Sequence, residues 1–141
     1  MVAERLHHPI HPLHGIVLGA LPTLFGAAFL ADVTYLRTAQ IQWSNFAQWA
    51  IAGGLIVGAL ALIPAGFTLL RHIVGARARP LLYLALLAGL WIVAFVNMLL
   101  HSRDGWYSVT ITGAVLSFAT TVLAIAAAWV GYSGFARRGE A

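Results

Sequence analysis

The residues of this 141-residue chain that can do chemistry are few: six histidines and four carboxylates, with no cysteine. Four of the histidines stand together in His7-His8-Pro-Ile-His11-Pro-Leu-His14, and His72 follows the second long apolar run. Neutral imidazole binds iron, copper and zinc well. Two imidazoles facing each other at one depth between helices are what bis-histidine haem b ligation needs. If the first two apolar runs are neighbouring antiparallel helices, His14 and His72 lie at matched depth and form such a pair, with His11 as the alternative partner. The plainer reading places these histidines in the headgroup region as polar helix ends, beside Arg5 and Arg71.

A second group comprises Asp32, Asn97, His101, Arg103 and Asp104, with Trp106 beside it. Asn97 and His101 are four apart and so share a helix face. Asp32 can accept a hydrogen bond from His101 or pair with Arg103. The plain reading is a hydrogen-bonded lock between helices. The functional readings are a metal or haem ligand at His101, a quinone-headgroup pocket walled by Trp106, or a proton relay. A single histidine on this face completes a bis-histidine site only across a homodimer interface or with a different second ligand.

The elements that must position these groups follow from composition. Apolar residues make up 61% of the chain and charged residues 9%, against about 45–50% and about 25% in a soluble domain. This excludes disorder, a nucleic-acid-binding module and a disulfide scaffold. Four apolar runs, about 13–36, 45–71, 81–101 and 107–132, each match the ~20 residues that a membrane helix needs. None alternates with period two, so the expected fold is all-α: a single transmembrane domain over 1–141, built as a four-helix bundle with antiparallel up-down topology. Pro12 and Pro80 suit first helical turns, Ser44 suits a helix cap, and Pro22 and Pro64 fall inside helices, where each frees a carbonyl one turn back. Six arginines (Arg5, Arg71, Arg77, Arg79, Arg137, Arg138) collect on the face of the termini and two (Arg37, Arg103) on the other. The positive-inside rule then places both termini in the cytoplasm. Gly15-x-x-x-Gly19 and Gly54-x-x-x-Gly58 let backbones approach closely. They serve helix packing, a flat cofactor in a glycine-lined groove, or a homodimer. No internal repeat is legible, and the HExxH, GxSxG, GxxxxGK and GxGxxG signatures are absent.

Several polar stretches also carry a resemblance. They are His11-Pro-Leu-His14, Ala31-Asp32-Val-Thr-Tyr35, Trp43-Ser-Asn-Phe-Ala-Gln-Trp49-Ala-Ile-Ala-Gly-Gly54, Asn97-Met-Leu-Leu-His101-Ser-Arg-Asp104 and Trp129-Val-Gly-Tyr-Ser-Gly134. From about Leu6 to Gly134 the chain resembles the bacterial four-span membrane proteins of domain-of-unknown-function family twenty-two thirty-one. The resemblance implies association with periplasmic quinoprotein sugar dehydrogenases and cytochromes. Many members carry an acid near the end of helix two, in a Gly-x-Ile-Asp-like stretch, where this chain has Ile63-Pro-Ala-Gly66.

Three functional expectations result. The first is a haem b electron-transfer or anchor subunit that passes electrons from a periplasmic dehydrogenase towards quinone, with His14, His72, His11 and His101 as candidate ligands. The second is an assembly or anchoring protein in the lipid bilayer without a cofactor. The third is a small metal-ion channel or transporter. None gives the chain a catalytic activity of its own, and none involves nucleic acid.

Overall fold

The computed structural model describes residues 12–71, 78–103 and 109–136, which form four helices: α1 (Pro12–Thr38), α2 (Ile41–Arg71), α3 (Ala78–His101) and α4 (Ile111–Ala136). All four are long and apolar enough to cross a bilayer, and no strand occurs among the described residues.

Two helix starts differ from expectation. α2 begins at Ile41, so Ser44 is not its cap but a buried residue one turn inside it. The link from α1 is only Ala39-Gln40, made this short by Ala39 taking a left-handed φ of 53°. The Ala39 amide donates to the Tyr35 carbonyl at 2.8 Å, which closes the end of α1. α4 begins at Ile111 instead of near residue 107, with Thr110 Oγ1 accepting from the Gly113 amide at 3.5 Å as its cap. Pro12 opens α1 as expected, and Pro22 and Pro64 lie inside α1 and α2. Beside the carbonyl that Pro22 leaves without its donor, Thr23 Oγ1 donates to Gly19 O at 3.0 Å.

Each helix packs against two others: α1 and α3 each lie beside α2 and α4. The pairs α1/α3 and α2/α4 therefore face each other across the diagonals of a square. On α1 the buried Leu18, Leu21, Phe25, Ala28 and Asp32 are spaced alternately by three and four, the repeat of a bundle seam. Lipid tails are as apolar as leucine, so hydrophobicity alone does not draw these helices together; close packing must. Small residues supply it, including Ala47, Ala61, Ala94, Ala124 and Ala127, all fully buried. The glycines of α2 take the large rings. A Cβ at Gly54 would stand 2.6 Å from Phe25 Cζ, and one at Gly58 would stand 3.3 Å from Trp91 Cδ1. Trp91 Nε1 also donates to the Leu55 carbonyl at 3.1 Å. The outside carries large apolar groups, with Trp49 80% and Trp129 75% exposed. That suits lipid contact and would be a liability in water.

Candidate functional site: a polar network across the bundle diagonal

Asp32 sits where the seam of α1 reaches its last turns, and His101 is the final residue of α3. Both side chains are fully buried. Asp32 Oδ1 is 2.8 Å from His101 Nε2, so the contact spans the α1/α3 diagonal. Ser117 of α4 donates from Oγ to Asp32 Oδ2 at 2.5 Å, and Asn97 Nδ2 donates to Ser117 Oγ at 2.8 Å. His101 Nδ1 lies 2.9 Å from the Asn97 carbonyl one turn back. From α2, Gln48 Nε2 donates to the His101 carbonyl, one of the helix-end carbonyls that α3 cannot satisfy from within. Gly113 provides the space for the imidazole: a Cβ there would stand 3.3 Å from His101 Cε1.

The chemistry of the donors fixes the protons. A carbonyl only accepts, so His101 Nδ1 must carry its hydrogen. Asn97 donates to Ser117 Oγ, which leaves the serine hydroxyl hydrogen for Asp32 Oδ2. Exactly one proton then lies between Nε2 and Oδ1. The pair is neutral as a whole, whether written as imidazolium–carboxylate or as imidazole–carboxylic acid. This removes most of the penalty for burying an isolated ion. Among the described residues this is the one ion pair, and Asn97 Oδ1 is the one buried side-chain polar atom without a partner.

At the other end of the bundle, His14 Nε2 is 3.4 Å from the Tyr83 hydroxyl, and Tyr132 donates to the Gly15 carbonyl at 2.7 Å. Between the two ends the axis is filled by Leu18, Leu21, Phe25, Leu87 and Leu90, each at most 1% exposed. The packed core thus separates the polar ends. Two grooves, of about 530 Å³ along Pro22, Ile125 and Trp129 and about 330 Å³ along Leu62, Ile63 and Phe67, open on the outer surface. Neither is lined by any residue of the Asp32–His101 network.

A family model described as "Predicted membrane protein (DUF2231)" matches residues 7–139. The chain belongs to this family. No curated protein and no solved structure matches it.

In this DUF2231 chain the second group of residues named from sequence divides three ways. Asp32, Asn97 and His101 are brought together. Of the two partners open to Asp32, the structure takes His101; Arg103 is exposed beyond the end of α3. Asp104 and Trp106 lie outside the described residues, as do His7, His8, His11 and His72. Sequence reasoning missed Ser117, Gln48 and Gly113. The signal for Ser117 was present: it opens the polar trio Ser117, Thr120 and Thr121 in the middle of a mostly apolar helix. Thr120 and Thr121 both donate to the Ser117 carbonyl, at 2.9 and 2.8 Å.

The family's implied redox partners raise the question of haem b. An axial ligand needs an imidazole nitrogen to spare, and both nitrogens of His101 are engaged. A flat macrocycle needs a slot, and the glycines of α2 receive the rings of Phe25 and Trp91 instead. Gly15 O and the face of Gly19 meet Tyr132, so both glycine motifs serve contacts within one bundle. The described residues do not fit haem b in the bundle core, and they contain no group of three or more metal-ligating side chains.

The Gln48 bond has a direct consequence. Gln48→Leu keeps the volume and strands the His101 carbonyl, so we expect a loss of about 1 kcal/mol in equilibrium unfolding in detergent micelles. Gln48→Glu should lose at least as much, because a carboxylate offers that carbonyl no donor.

Proposed function

We propose that the chain is a non-catalytic membrane anchor or assembly subunit, with the Asp32–His101 network as the lock that fastens its bundle. The observation that carries this reading is saturation at zero exposure: both carboxylate oxygens and both ring nitrogens of the pair are bonded inside the protein. A site that binds substrate keeps a reactive atom accessible or a cavity beside it. In this proposal consecutive helices run antiparallel, both termini face the cytoplasm of a bacterial cell, and the lock lies at the periplasmic end. That end faces the quinoprotein dehydrogenase or cytochrome that the family resemblance implies as partner.

The anchor and the haem b electron carrier part ways in one spectrum. Purified protein supplied with haem should show no Soret or α band in reduced-minus-oxidised difference, and His101→Ala should lower the unfolding temperature without changing any spectrum. A stoichiometric band that His14→Ala or His72→Ala removes would replace the anchor with the electron carrier.

A further inference from the structure

Asn97 belongs to the lock and is fully buried, yet its Oδ1 has no partner. In a bilayer no bulk solvent reaches such an oxygen, so an unmet hydrogen bond there is costly. Turning the amide over does not cure it. Oδ1 would then take the Ser117 hydroxyl hydrogen, and Asp32 Oδ2 would lose the donor it has. Either way one oxygen of the network lacks a donor from the protein, and the missing donor must come from outside the chain.

The neighbouring residues narrow its chemistry. One turn further into the bundle from Asp32, Asn97 and Ser117 stand Ala28, Ala94 and Thr120, all fully buried. On α2, Ile51 stands one turn in from Gln48 and is also fully buried. Three of the four helices thus place small side chains in the layer beneath the network. The layer below that is filled by the ring of Phe25 on Gly54. Of the four residues in the small layer only Thr120 has a polar side chain. Its hydroxyl hydrogen goes to the Ser117 carbonyl at 2.9 Å, so its oxygen keeps lone pairs with which to accept.

The layer therefore offers two acceptors, Asn97 Oδ1 and Thr120 Oγ1. An anion would meet both as like partial charges. A metal ion needs several more ligands, and the described residues hold no group of three or more metal-ligating side chains. Water carries two O–H donors, and a buried water makes about 2–4 hydrogen bonds to groups that are otherwise unsatisfied.

We infer that one buried water molecule completes the lock, donating one hydrogen to Asn97 Oδ1 and the other to Thr120 Oγ1. It ties α3 to α4 a second time, beside the bond from Asn97 to Ser117. This inference rests on the lock reading and deepens it: the bundle closes around a solvent molecule that serves as one of its fastenings.

The test is the crystal structure of the full chain grown from a lipid mesophase, at a resolution that shows ordered water, for the parent, Thr120→Val and Thr120→Ser. Valine keeps the volume of Thr120 and removes only the second acceptor, since the Ser117 carbonyl retains the Thr121 hydroxyl at 2.8 Å. We expect density for one water at about 2.8 Å from both Asn97 Oδ1 and the hydroxyl oxygen of residue 120 in the parent and in Thr120→Ser. Thr120→Val should lose it. A parent structure without water in hydrogen-bond reach of Asn97 Oδ1 overturns the inference, and the parent alone decides this whatever the variants do. A water that stays in place in Thr120→Val overturns it as well. The lock reading is judged separately, by the unfolding of Asp32 and His101 variants, and it can fail while this density remains.

Discussion

Asp32→Ala should cost about 2–4 kcal/mol in equilibrium unfolding, whereas Asp32→Asn should cost under about 1.5 kcal/mol. The alanine variant loses two bonds together, leaving His101 Nε2 without a partner and the Ser117 hydroxyl hydrogen without its acceptor in a site with no exposure. A single side-chain hydrogen bond in a membrane bundle averages only about 0.6 kcal/mol, because the separated helices find other partners. Two stranded groups in a packed interior exceed that, since neither can turn outward. The asparagine variant differs because the pair is already neutral as a whole. Its amide can donate to Nε2 while His101 keeps the Nδ1 hydrogen on the Asn97 carbonyl, and its oxygen still accepts from Ser117. The same two variants separate a lock from a proton relay. A lock tolerates asparagine; a relay loses its function with asparagine while the fold survives.

The second large effect lies at the Phe25–Gly54 contact. Phe25→Ala should cost about 2–3 kcal/mol, from the cavity term and not from transfer out of water. In lipid the transfer term is small, and what is lost is the dispersion contact of a ring seated on a glycine. Gly54→Ala approaches the same contact from the other side. Its Cβ would stand within 3.0 Å of three atoms of the Phe25 ring, so we expect about 1–3 kcal/mol of overpacking. The double variant should then be more stable than the sum of the two single losses, because the added methyl enters the space that the ring has left. Unfolding of the three variants in micelles reads this directly, and additivity would show that the ring and the glycine do not share a site.

Much of the architecture was legible in the chain because a bilayer imposes length and composition on its helices. The four spans follow from counting residues at 1.5 Å each, whereas Asp32–His101 was one of two pairings that the sequence left open. Ser44 was misread because the α1–α2 link carries no glycine or asparagine to mark it; Ala39 takes the left-handed turn without the usual residue type. Ser117 was missed because the polar trio of α4 does not say which of its members turns inward; packing against α1 and α3 sets that.

The most direct test of the central claim is a double-mutant cycle on Asp32→Ala and His101→Ala, read by equilibrium unfolding in micelles. If these side chains lock the bundle through each other, the cycle should give a coupling of about 2 kcal/mol. A coupling near zero, with both single losses adding, would contradict the account.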